Sequence, residues 1–233
     1  MNISEMHYDF KKKLNKVDSQ QNRNLLVPEI DWALNEAQEL FIKWIAEPRQ
    51  RSYMGFEKSQ RSIDDIRTLV ESDKVLLISN GVAPLPSDYL FFVKADVLMD
   101  KGNCKGVKGR LHIRQHDDEF ENSPFDKSNF EWRVVNGLFI TEGVKVFDDG
   151  TFTNKQIIMS YIRKPKYIHN AAAFRNGKYR LPSGAVLEGT ADCELPEHTH
   201  REIVDIAVAM VSGELLSPDF QMKLSKLNFN ELK

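Results

Sequence analysis

Residues 28–48 read PEIDWALNEAQELFIKWIAEP, and their spacing is that of a helix with one buried face. Ile30, Ala33, Leu34, Ala37, Leu40, Phe41, Trp44 and Ile45 recur at i, i+3, i+4 and i+7, which gathers them on one side of a 3.6-residue repeat. Pro28 suits a first helical turn, where its missing N–H costs nothing, and Pro48 stops the run. Ile203, Ile206, Ala207, Met210 and Val211 form a second such face near the other end of the chain, widened by Val204 and Val208, with Pro196 opening the helix and Gly213 closing it. The two faces predict one α core holding both Trp44 and Ile203.

Outward from the first helix, residues 1–24 form a polar N-terminal arm. Met6, Phe10, Leu14 and Val17 predict a short helix over residues 4–16, ahead of a mobile stretch rich in Gln and Asn. Downstream, Ile63, Ile66, Leu69 and Val70 predict another helix, with Ser62 as N-cap and Asp64 and Asp65 at its positive end. Ser217-Pro218-Asp219 starts a last short helix carrying Phe220, Leu224 and Leu227, and the stretch 215–233 reads, like the arm, as ordered on assembly.

From Lys74 the period becomes that of strands: Val75 to Ile78, Tyr89 to Leu98 and Val107 to Arg114 are β-type runs. Asn136-Gly137, Asp149-Gly150 and Asn176-Gly177 each predict a type I′ hairpin, and residues 131–162 read as an antiparallel meander. The fold class is therefore α+β: a helical bundle from residues 25–72 and 193–233, with a central antiparallel β-rich insertion at 73–192.

At roughly 150 residues per domain, 233 residues allow one domain with an insertion or two small ones. Lys plus Arg is 32 and Asp plus Glu is 34, a net charge of −2, which argues against a dedicated nucleic-acid protein but not against a basic patch. The two cysteines, Cys104 and Cys193, form no framework. No secretory signal opens the chain and no apolar run approaches membrane length, so a soluble protein made in a cytoplasm is expected, with no membrane contact.

Chemistry-bearing patterns are weak. Gly102, Gly106 and Gly109 with Lys101, Lys105, Lys108 and Arg110 lack the order of a phosphate loop and read better as a connection between strands. His116-Asp117-Asp118-Glu119 reads as a helix cap rather than a metal site. Of Cys193, His198 and His200, the two histidines diverge on a helix, Cys193 lies before the helix begins, and a fourth ligand is lacking unless Asp192 serves. No nucleophile elbow, Cys–His signature or H-E-x-x-H occurs, so no enzyme, catalytic residue, metal or cofactor is expected.

Charge segregation is the remaining feature. Residues 151–187 contain no Asp or Glu, yet carry Lys155, Arg163, Lys164, Lys166, Arg175, Lys178 and Arg180, interleaved with Tyr161, Tyr167, Phe174 and Tyr179. Acids gather at Asp117, Asp118, Glu119 and Glu121, and again from Glu188 to Glu202. Three readings stay open: a solvated surface over core aromatics, a nucleic-acid contact, or a subunit contact between basic and acidic patches, with Glu119 and Glu121 opposite the basic run.

Gln115-His116-Asp117-Asp118, Asp149-Gly150-Thr151-Phe152, Tyr161-Ile162-Arg163-Lys164-Pro165 and the run from His200 to Val208 resemble structural proteins of crAss-like tailed bacteriophages. The helix at 28–45 and Leu85-Pro86-Ser87-Asp88-Tyr89 fit the same pattern, so the resemblance spans about residues 25 to 230. Among those proteins, the chain resembles ring proteins of the head-to-tail connector. The resemblance implies a virion structural protein, a portal adaptor forming a cyclic homo-oligomer of twelvefold symmetry. Its partners would be the portal protein and other connector or tail ring proteins, with DNA only as passing cargo. It implies assembly in the cytoplasm of an infected bacterium and no cofactor.

Overall fold

The computed structural model describes residues 1–14, 25–46, 64–115, 126–215 and 221. The apolar repeat quoted above folds as helix α2, Val27–Ala46, with Ile30, Ala33, Leu34, Ala37, Phe41 and Ile42 buried. Helix α1, Ile3–Leu14, buries Ile3, Met6, Phe10 and Leu14, and helix α3, His200–Glu214, buries residues around most of its circumference. Helix α3 packs against both α1 and α2. Lys13 on α1 reaches Asp205 on α3 at 2.8 Å, and that carboxylate, together with Asp9, holds the ammonium above its usual range against the opposing effect of burial.

Trp44 does not join this core. It is 42% exposed, whereas Ile203 is fully buried. Burial on α2 stops at Ile42, so the last helical turn carries its apolar residues beyond the packed surface. Gly213 lies inside α3 rather than beyond it, and Leu215 caps the helix through its N–H to the Gly213 and Val211 carbonyls. The helix expected over 63–70 is one turn at 64–66 followed by a 3-10 turn, Arg67–Leu69; Val70 already begins a strand. Ser62, Ile63, Pro48, Val17 and the last helix expected after Ser217 lie outside the described residues, apart from the isolated position 221.

The chain divides into two units, one made of Met1–Leu69 with Pro165–Lys233 and one of Val70–Lys164. Residues 165–192, expected within the β insertion, therefore stand with the helices. There they form two small antiparallel pairs: β8, His169–Asn170, with β11, Thr190–Ala191; and β9, Lys178–Arg180, with β10, Val186–Glu188.

The second unit is a seven-stranded sheet of β1 (Val70–Leu77), β2 (Val82–Ala83), β3 (Tyr89–Lys101), β4 (Cys104–Ile113), β5 (Val134–Ile140), β6 (Gly143–Phe147) and β7 (Thr153–Arg163). Their order is β1-β7-β3-β4-β5-β6-β2. The mixed α and β composition is as expected, but the strand content is larger and the sheet is not wholly antiparallel. Strands β4 and β5 run parallel, with Arg110 opposite Val134 and His112 opposite Asn136. A parallel pair needs a crossover, here the segment from Arg114 to Arg133. Val97, Met99, Leu111, Val135, Val144, Ile157, Met159 and Tyr161 line the core on one face. At the sheet's edge β1 pairs with β7, placing Val70 opposite Ile162.

The three hairpin signals are not hairpins, each for a separate reason. Asn136-Gly137 lies inside β5. Asn136 is buried, with its N–H donating to Ser128 Oγ, while a Cβ at Gly137 would meet Leu111 Cδ1 at 2.9 Å and the Lys145 carbonyl at 3.2 Å. Close strand approach, not turn geometry, selects that glycine. Asp149-Gly150 is a turn, but it joins β6 to β7, which pair with different strands, so no meander spans 131–162. Asn176 and Gly177 do adopt positive φ, at 60° and 67°, yet a 3-10 turn and not a strand precedes them. The β9–β10 hairpin closes instead between Leu181 and Ala185.

Leu34→Ala and Ile203→Ala are each expected to lower the unfolding free energy by about 2–5 kcal/mol. Trp44→Ala should cost less than half as much as either, and urea titration of the three variants checks the ranking.

Candidate functional site

Beside its apolar face, α2 carries a polar stripe at i, i+4 and i+7: Asp31, Asn35 and Gln38. Asn35 Nδ2 donates to the Ile168 carbonyl at 2.7 Å and its Oδ1 accepts the Ile168 N–H at 2.8 Å. Gln38 Nε2 donates to the Lys166 carbonyl, and its Oε1 accepts the Cys193 thiol. Asp31, fully buried, bonds His7 Nε2 through Oδ1 at 2.7 Å and accepts the Tyr179 hydroxyl at Oδ2 at 2.7 Å. Both of its oxygens also take the Asn170 N–H. Burial, then the Asp31 hydrogen bond and charge, drive the Tyr179 phenol far above its usual range. The cluster holds acid, base and hydroxyl types, but they are spent on one another, tying α1, α2, β8 and β9 together. It is a clamp.

The metal-like pattern separates. Cys193, its thiol pushed up to about 11 chiefly by burial, faces Gln38. His198 Nε2 faces Asp65 at 2.6 Å, and the His200 ring lies between the Met1 and Leu195 carbonyls. Among the described residues no three His, Cys, Asp or Glu side chains are placed to hold a metal. Of the glycines expected in a connection between strands, only Gly102 lies between β3 and β4; Gly106 and Gly109 lie within β4, where the Gly106 N–H donates to Asp100. His116 to Glu121, with Glu119 and Glu121, lie outside the described residues.

The basic run of 151–187 is shared between the units. Lys155, Arg163 and Lys164 belong to the sheet unit; Lys166, Arg175, Lys178 and Arg180 belong to the helix-bearing unit. Arg163 lies 3.4 Å from Glu71, Lys166 2.8 Å from Glu194 and Lys178 3.8 Å from Glu188. Lys155, Lys164, Arg175 and Arg180 are exposed. Of the interleaved aromatics, Tyr161 and Tyr179 are core and Tyr167 and Phe174 are half-buried. Tyr161 donates to Asp88 at 2.9 Å; burial, then that bond, pushes its phenol up to about 12.

A different set of cations is aligned by the fold. On β4, Gly109 and Leu111 face the core, so Lys108, Arg110 and His112 point outward, with Arg114 just beyond the strand end at the next alternate position. Lys108 Nζ contacts Asp96 on β3 at 3.0 Å, and Arg114 contacts Asn136 Oδ1 at 3.0 Å and Asp126 at 3.8 Å. Partial burial, followed by the charges of Arg110 and Arg114, holds His112 below its usual range. The sequence shows this as a basic residue at every second position from 108 to 114, a strand-period signal hidden when the glycines of the same stretch are read as a loop.

No protein-family model and no curated protein matches the chain. No helix among the described residues is long and apolar enough to cross a membrane.

Asp31→Ala leaves His7 and Tyr179 without their acceptor and is expected to cost about 3–5 kcal/mol in urea unfolding. Tyr161 has a folded pKa above its unfolded value, so its contribution is complete below pH of about 10 and disappears as pH rises through about 12. Stability of Tyr161→Phe, measured across that window, should decline less steeply than that of the parent.

Proposed function

We propose that this chain is a non-enzymatic bacteriophage structural protein, a ring-forming adaptor between portal and tail in the head-to-tail connector of the virion. The resemblance in residues 85–89, 115–118, 149–152, 161–165 and 200–208 supports this reading, in which a helical bundle is interrupted by a β-rich insertion. The observation that carries it is Trp132, 79% exposed at the tip of a stiff turn. Asn129 Oδ1 accepts the N–H groups of Glu131 and Trp132, and Arg133 is held at φ 54°. A rigidly displayed tryptophan suits the centre of a protein–protein contact, where aromatic anchors dominate the energy. Tyr8, 71% exposed on α1, and Leu77, 67% exposed on the edge strand β1, supply further apolar contact area.

A cyclic ring needs two different patches per subunit, and a Trp132 anchor seated in a neighbour is one such half. The alternative, a nucleic-acid-binding module using residues 151–187, has less support, because its seven cations are divided between two units rather than aligned on one element. The subunit contact between that basic run and acids at Glu119 and Glu121 stays part of the proposal.

Native mass spectrometry and negative-stain microscopy of the protein, alone and with its phage's portal protein, are expected to show closed rings. Trp132→Ser should leave the melting temperature unchanged and abolish the rings. A chain that stays monomeric under both conditions would falsify the adaptor reading.

A further inference from the structure

We propose that the outward face of β4, with Lys108, Arg110, His112 and Arg114 in one column, is a binding surface for the phosphate backbone of nucleic acid. Alternate residues of a strand lie about 6.8 Å apart on one face, so the column spans about 20 Å. Lys94 adds a cation on the neighbouring strand, where it is exposed and on the same face as Asp96. Among the described residues the opposing anions in contact are Asp96, 3.0 Å from Lys108, and Asp126, 3.8 Å from Arg114; Asp73 acts on Lys108 from a greater distance. Arg110 has no ion pair among the described residues.

Three properties of the surface favour a polyphosphate over an acidic protein. The strand is hydrogen-bonded between β3 and β5, so the cations are held in a fixed column at the regular spacing of alternate strand residues. Two of the four basic groups are arginines, whose fork binds phosphate in bidentate fashion. The charges of Arg110 and Arg114 both act on His112, second to the partial burial of its ring, so the cations of the column lie within electrostatic reach of one another. No Phe, Tyr or Trp lies between Lys108 and Arg114, so bases have nothing on the strand to stack upon. Contacts of this kind position a backbone and carry no sequence information. The inference does not rest on the adaptor reading and differs in residues from a contact through 151–187.

The test is fluorescence anisotropy of full-length protein with a labelled random-sequence DNA duplex across a salt series. The parent should bind with a log–log salt slope of about −3, corresponding to three to four phosphates. Lys108→Gln with Arg110→Gln should flatten the slope by about 1.8, that is 0.9 for each lost phosphate contact. Lys155→Gln with Lys164→Gln, drawn from the other basic run, should leave it unchanged. In the unaltered protein, duplex should shift the His112 ring resonances and raise the pH at which they titrate, a readout that does not depend on any variant folding. The proposal is overturned if the duplex does not bind at low salt. It is also overturned if the 155/164 pair carries the loss, or if polyglutamate of equal charge displaces the duplex as well as unlabelled duplex does.

Discussion

A buried carboxylate on α2 constrains the helix-bearing unit more than any apolar contact does. Asp31 is tolerable in the interior because its oxygens meet an imidazole, a phenol and a backbone N–H. Each of these donors comes from a different element, so the requirement fixes α1, β9 and β8 relative to α2. Asn35 and Gln38 extend the same logic along the helix by bonding the backbone at 166–168. Apolar burial alone would let that segment slide, since one methyl is much like another. A row of directional bonds permits one register, and leaving any member unpaired is costly.

The helices were readable because a 3.6-residue apolar repeat is a local signal. Ile30 to Phe41 and Ile203 to Val211 fall where their spacing puts them. Trp44 obeys the same spacing and is exposed, because periodicity says which side of a helix is apolar and not how far along it a partner extends. The three dipeptide turn signals show another limit. Asn-Gly permits a hairpin but does not demand one, and at Gly137 the absent side chain serves strand packing against Leu111. Neither the parallel β4–β5 pair nor the division at Pro165 leaves a local trace. Asp31 likewise carries no local mark of its burial, since an acid within an amphipathic helix is usually at the surface.

The charge pattern was legible as composition but not as geometry. Seven cations in sequence from 155 to 180 are divided between two units, and three of them meet glutamates. Three basic residues on β4 and Arg114 just beyond it become a column because the sheet turns their neighbours, Gly109 and Leu111, toward the core. A count over a window is blind to this difference, whereas a two-residue period read through the glycines would have caught it.

The pairing of Val70 with Ile162 bears on how the helix-bearing unit can be assembled at all. That unit is discontinuous, and bringing its two parts together across about 95 free residues would carry a closure entropy of about 4 kcal/mol. Once β1 and β7 are hydrogen-bonded, the two ends of the intervening segment lie about 5 Å apart, the width of a strand pair. The sheet then acts as a clip that has already met the entropic cost, and from the standpoint of the helices the chain is nearly continuous. It also sets an order during synthesis: Val70–Lys164 is complete before α3 leaves the ribosome, so the clip can close before the last helix needs it.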